Sequence, residues 1–246
     1  MPKSFSARIF VALIVISGLM VLGDVVLHAK AMPTVRILAF LLAACLAARL
    51  KIKLPGLTGT MSVNLPFILV AVAEMNTAEA LAVGFISTFV QCLPRGKQKL
   101  NLVQAAFNCS TITLAVAATR LIYTSPSVNT MVTSPSLRLA IAAAGYALAN
   151  SVPVAIVIRL TEGVNALRTW VEMLQLSFPY LLASACVAGL SLIVTGEVAW
   201  QVPLAMLPLM AGIYLSYRRY FAATAAPVTS NVQVQAGRRA AAGAHV

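Results

Sequence analysis

Charge is scarce in this 246-residue chain: Asp, Glu, Lys and Arg make up only 10% of it, six acidic residues against eighteen basic ones. Soluble proteins carry roughly 25%, so the polar skin of a compact water-soluble domain is missing. Histidine is nearly absent too. His28 and His245 are the only two, neither has a partner at metal-ligand spacing, and no His-Glu-x-x-His helix occurs, so no zinc or di-iron site is expected. Cys45, Cys92, Cys109 and Cys186 fall on different apolar stretches without a Cys-x-x-Cys, and they read as small hydrophobes. Gly-rich phosphate loops, nucleophile elbows and convergent carboxylates are also lacking. The expectation is a protein with no catalytic residues, no metal and no cofactor.

What the chain has in abundance is apolar side chains, 60% of all residues before glycine is counted. Lipid is therefore its expected solvent. A membrane-spanning helix needs about 20 mostly apolar residues, because only internal hydrogen bonds can satisfy the backbone in hydrocarbon. Eight stretches qualify: 7–27, 35–50, 59–75, 76–93, 101–123, 136–160, 169–195 and 198–217. The third and fourth adjoin, but one 35-residue helix would be about 52 Å long, too long for a bilayer core. Asn76 followed by Glu79 has the spacing of a helix N-cap with a capping-box acid, which favours two helices and a tight hairpin.

The basic residues supply an orientation. With the N-terminus inside, Lys3, Arg8, Arg49, Lys51, Lys53, Arg95, Lys97, Lys99, Arg159, Arg168, Arg218, Arg219, Arg238 and Arg239 fall on the cytoplasmic side. Only Lys30, Arg36, Arg120 and Arg138 fall outside. That split predicts eight transmembrane helices with both termini cytoplasmic. It also explains the net charge of +12 as a topology label, where nucleic-acid binding would need a basic water-facing patch. Lys3, Arg8 and Ala29-Lys30-Ala31 would fit a cleaved signal peptide, but the apolar run to Leu27 is long for one and favours a retained helix.

The chain divides into a polytopic membrane domain, 1–221, and a tail, 222–246, that reads as a disordered cytoplasmic segment too short for a separate domain. The loop 124–135 carries Thr-Ser-Pro-Ser twice and reads as a flexible connector.

Polar residues within the spans are the candidate binding groups. Gln104, Asn108 and Thr111 form one stripe of the fifth span, and Tyr146 and Asn150 pair at i, i+4 on the sixth, ahead of Pro153. Asn64 precedes Pro66 near the middle of the third span, and Gln175 and Tyr180 flank Pro179 on the seventh. A proline inside a helix frees the carbonyl four residues earlier, here Ser62, Ala149 and Gln175. Paired proline-interrupted helices point to a mid-membrane site in transporters. Helix-to-helix glue is the competing reading, and sequence alone leaves both open. Ala185 and Gly189, like Gly145 and Ala149, have the small-xxx-small spacing of close helix packing, while Trp170 and Trp200 sit where interfacial anchors belong.

Leu54-Pro55-Gly56 leading to Asn64-Leu65-Pro66, Glu79-Ala80-Leu81 through Val90-Gln91-Cys92, Gln104-Ala105-Ala106-Phe107-Asn108, and Asn150 through Glu162-Gly163 resemble the multi-helix membrane region found ahead of HD-GYP or GGDEF domains in bacterial cyclic-di-GMP signalling proteins. Trp170, Ser177-Phe178-Pro179-Tyr180 and Tyr217-Arg218-Arg219-Tyr220 continue the pattern, which spans roughly residues 35–221. The resemblance implies an inner-membrane sensor or signal-input module without its output domain. It would act through a membrane or cytoplasmic signalling partner or as a homo-oligomer, and it supplies no ligand residues. A small-molecule transporter or substrate-binding component is the alternative.

Overall fold

The computed structural model describes residues 5–29, 35–53, 60–94, 100–195 and 201–221. The tail 222–246 lies outside the described residues, as do Lys30 and Trp200. The described residues are all-α apart from one small hairpin. The helices are α1 (Phe5–Leu27), α2 (Val35–Ala48), α3 (Leu65–Glu74), α4 (Thr77–Cys92), α5 (Leu102–Thr124), α6 (Pro126–Met131), α7 (Pro135–Glu162), α8 (Ala166–Thr195) and α9 (201–221). Strands β1 (Lys51–Lys53) and β2 (Thr60–Ser62) pair antiparallel, Lys51 opposite Ser62 and Lys53 opposite Thr60.

Each of the eight apolar stretches forms a helix, but their lengths are unequal. Among the described residues four helices, α1, α5, α7 and α8, are long and apolar enough to cross a membrane, while α2, α3 and α4 are shorter. The largest departure from expectation is the third stretch. Residues 60–62 are a strand, and α3 begins only at Leu65, with Pro66 in its first turn. There the missing N–H is one the helix would leave unpaired anyway, and the fixed φ suits a helix start. Pro66 therefore starts a helix and kinks none, so it frees no carbonyl at Ser62. Pro153 and Pro179 do lie inside α7 and α8. The two Asn-Pro segments are thus not equivalent, and the expected pair of proline-interrupted helices is corrected to one interrupted helix and one helix start.

The same chemistry accounts for the loop 124–135. Its two Ser-Pro steps both begin helices: Pro126 opens the six-residue α6, and Pro135 opens α7, where Ser134 accepts a hydrogen bond from the Leu137 N–H. The expected flexible connector therefore contains a helix. The hairpin between α3 and α4 is as expected. Asn76 accepts from the Glu79 N–H at 2.9 Å, and Glu79 accepts from the Asn76 N–H at 3.1 Å, a reciprocal capping box. At the far end of α7, Gly163 takes the left-handed conformation (φ 75°) that ends a helix.

At the centre lies α3. Leu65 to Val72 are all buried, and α2, α4, α5, α7 and α8 pack around them. A helix that is apolar on every side belongs in such a place. Phe40 and Ala44 of α2, Leu81 of α4, Val116 of α5, Leu139 of α7 and Met210 of α9 join it in one core. On α2 Ile37, Phe40, Ala43, Ala44, Ala47 and Ala48 are buried, whereas Leu38, Leu42 and Leu46 are exposed. Exposed Leu13, Ile16 and Leu19 on α1, Leu148 on α7 and Leu182 on α8 extend the same aliphatic exterior. Large apolar side chains turned outward suit lipid contact.

Helix α1 joins through a close crossing with α5. A Cβ on Gly18 would fall 2.7 Å from the Ser110 Cα, so only glycine permits this approach.

Candidate functional site

A 10-residue helix is about 15 Å long, half of a bilayer core. One end of α3 meets the start of α2, where Arg36 donates to the Glu74 carbonyl. The other end stops beside Tyr180, midway along α8, whose hydroxyl accepts from the Leu65 N–H at 3.1 Å. Strand β1 follows directly on α2 and pairs with β2, which leads into α3, so the hairpin lies between the end of α2 and the start of α3.

A buried polar junction surrounds the start of α3. The Ser62 hydroxyl lies 2.7 Å from Asn64 Oδ1 and 2.9 Å from Gln91 Oε1. One hydroxyl proton cannot serve two acceptors. Turning the Gln91 amide resolves this, with its Nε2 donating to Ser62. A directed chain results: Gln91 donates to Ser62, Ser62 to Asn64 Oδ1, Asn64 Nδ2 to Ser87 Oγ at 3.0 Å, and Ser87 to the Gly84 carbonyl at 3.3 Å. It ties β2 to α4, and both faces of the Asn64 amide are used within the bundle.

The carbonyl ends of two short helices are held by arginines. Arg120 of α5 donates to Val72 O and Arg36 of α2 to Glu74 O, so two cations face the negative end of the α3 dipole. Arg49 donates to Val90 O at 3.2 Å and Leu93 O at 3.3 Å, doing the same for α4. Arg138 bonds Asn129 and lies over the Tyr123 ring, 5.5 Å from its centroid.

The expected site residues do not converge. Asn64 and Tyr180 meet at the start of α3, and Tyr146 is buried in the same core. Asn108 is half-buried and donates to Cys92 Sγ at 3.6 Å. Its stripe neighbour Thr111 is buried, and its hydroxyl has no hydrogen-bond partner among the described residues. Asn150 is half-buried, and Gln104 and Gln175 are exposed. Gln104 lies in the first turn of α5. Gln175 lies one turn beyond the exposed Arg168–Glu172 ion pair (2.9 Å) on α8, a helix about 45 Å long that outreaches the hydrocarbon. Ser62, Ser87 and Gln91 were not among the expected residues, although Ser87 and Gln91 share one face of α4 at i, i+4 spacing. Trp170, expected as an anchor, donates to Ser151 Oγ on α7 at 2.9 Å. Among the described residues no group of three or more His, Cys, Asp or Glu side chains is placed to hold a metal.

No family model matches the chain, and neither a curated protein nor a solved structure aligns with it significantly.

Proposed function

We propose that the protein is a non-enzymatic, multi-pass bacterial inner-membrane protein that works as a signal-input module, with eight membrane-embedded helical segments and both termini in the cytoplasm. The observation that carries this reading is the polar junction at the start of α3. Asn64 spends its amide on Ser62 and Ser87, so the groups that a transported solute would need are engaged with one another. Helix α3 is gripped at both ends, by Tyr180 at one and by Arg36 and Arg120 at the other. In the proposed orientation a change at the outer arginines would pass along α3 to the cytoplasmic hairpin carrying Lys51 and Lys53. The resemblance to membrane regions of cyclic-di-GMP signalling proteins supports the same role, with a membrane or cytoplasmic partner, or a second copy, receiving the output.

Purification in mild detergent should recover such a partner or a stable self-assembly; a strictly monomeric protein that captures nothing refutes the proposal. Transport is the second reading, because a half-length helix ending at mid-bundle is how transporters present backbone dipoles to solutes. On that reading replacing Asn64 and Asn150 by alanine abolishes uptake while the fold survives. On ours the Asn64 substitution weakens the fold itself.

A further inference from the structure

Two of the four cysteines, on separate helices in sequence, come together in space. Helices α4 and α5 pack antiparallel, and Gly84 marks their register: a Cβ there would lie 2.9 Å from Val116 Cγ2. Eight residues onward along α4 is Cys92, and eight residues back along α5 is Asn108, whose Nδ2 donates to Cys92 Sγ at 3.6 Å. The next residue, Cys109, therefore lies beside Cys92 at the same α4–α5 crossing. Both are free thiols, and their surroundings differ: Cys109 is 3% exposed, whereas Cys92 is only partly covered, on the last turn of α4.

Cations converge on that turn. Lys51 of the hairpin acts electrostatically on Cys92. The Arg49 guanidinium takes the carbonyls of Val90 and Leu93, which would otherwise turn the negative end of the helix dipole towards the sulfur. A reactive cysteine needs such an electropositive, partly open setting, and a resolving thiol needs to be within contact.

We propose that Cys92 and Cys109 form a hydroperoxide-reactive dithiol, with Cys92 the attacking sulfur and Cys109 the resolving one. The Cys92 thiolate attacks the terminal oxygen of a hydroperoxide ROOH. A sulfur–oxygen bond forms, the O–O bond breaks, and RO⁻ leaves as ROH with the proton that Cys92 has lost. Cys109 sulfur then attacks the sulfenic sulfur, the S–S bond forms, and the hydroxyl leaves as water with the Cys109 proton. Two thiols are oxidised by two electrons and one hydroperoxide is reduced to alcohol and water. The bridge would lock α4 to α5 beside the hairpin. The inference stands independently of the signalling role. In the proposed orientation the pair faces a reducing cytoplasm, which makes the bridge a transient state.

The test uses the full chain in native membranes, with Cys45→Ala and Cys186→Ala leaving only the pair. After a hydrogen peroxide pulse, acid quench and denaturation, maleimide tagging should fall from two tags to none and return to two with dithiothreitol. In the wild-type chain, peptide mapping should find Cys92 joined to Cys109, a readout that needs no variant to fold. Cys109→Ser should leave Cys92 trappable by a dimedone probe, and Cys92→Ser should leave Cys109 tagged at the same dose. Full retention of tags, loss of one tag independently of the other, or crosslinks between copies in place of the Cys92–Cys109 peptide would each overturn the proposal.

Discussion

Replacing Ser87 by alanine should destabilise the protein at least as much as replacing Asn64, although it deletes a single oxygen. Ser87 is fully buried and is the acceptor for Asn64 Nδ2. Without it that amide donor has no partner, and an orphaned buried donor costs about 1–3 kcal/mol. Asn64→Ala removes two hydrogen bonds but orphans no donor: with Asn64 gone the Gln91 amide can turn back to present Oε1 to the Ser62 hydroxyl, and Ser87 still has the Gly84 carbonyl. Its expected cost is about 0.6 kcal/mol for each hydrogen bond, the membrane-protein average, plus the packing lost with the amide, giving a total near 1–2 kcal/mol. The double variant should cost little more than Asn64→Ala alone, because removing the amide removes the donor that Ser87→Ala strands. That amounts to a coupling of about 1 kcal/mol, well above the roughly 0.3–0.5 kcal/mol scatter of independent sites. Reversible unfolding in mixed micelles of mild and denaturing detergent measures all four corners of the cycle. Ser216→Ala is the control, since that exposed hydroxyl only bonds back to Gly212 O on its own helix. Additive single and double variants would show that the directed chain from Gln91 to Gly84 does not exist.

Gly18→Ala should weaken α1–α5 packing by about 1–3 kcal/mol, because its Cβ would meet the Ser110 backbone, whereas Gly23→Ala on the same helix meets nothing within 4 Å and should be neutral or slightly stabilising in the same thermal assay. Tyr180→Phe should leave the Leu65 N–H unpaired, cost about 1–3 kcal/mol and speed hydrogen exchange at the start of α3, with exchange at its far end unchanged. Arg120→Ala should lower stability by up to about 2 kcal/mol by uncovering Val72 O, and equal melting of wild type and variant would remove the capping role.

The parts of the fold legible in the sequence were those set by local chemistry. Runs of apolar residues became helices, and the Asn76–Glu79 spacing became a capping box, because each depends on residues a few positions apart. Pro66 was misread because a proline shortly after an asparagine looks alike at a helix start and at a mid-helix kink. The difference lay in β1 and β2, and Lys-Ile-Lys and Thr-Met-Ser are too short to show a strand period. The candidate site was half legible for another reason. Finding that Asn108 and Thr111 share a stripe does not say which way the stripe faces, and on helices that are apolar all round no hydrophobic face fixes the rotation. The arginines were harder still to foresee as caps, since their acceptors are backbone carbonyls and leave no mark in the side-chain pattern.

Those arginines also account for the minority of basic residues that the charge split assigns to the outside. With only six acidic residues in the chain, carboxylate partners are few. Of the four exceptions, Arg36 and Arg120 bind the last carbonyls of α3, and Arg138 is held by Asn129 and the Tyr123 ring. The last carbonyls of a helix have no partner within it and must find one elsewhere. A guanidinium, with five fixed donors and weak hydration, meets that need better than an ammonium. All three described exceptions are arginine, while lysine supplies the cations of the hairpin, at positions 51 and 53. Two uses of positive charge thus coexist in one chain: loop cations that can set orientation by number, and single arginines fixed in place by the carbonyls they cover.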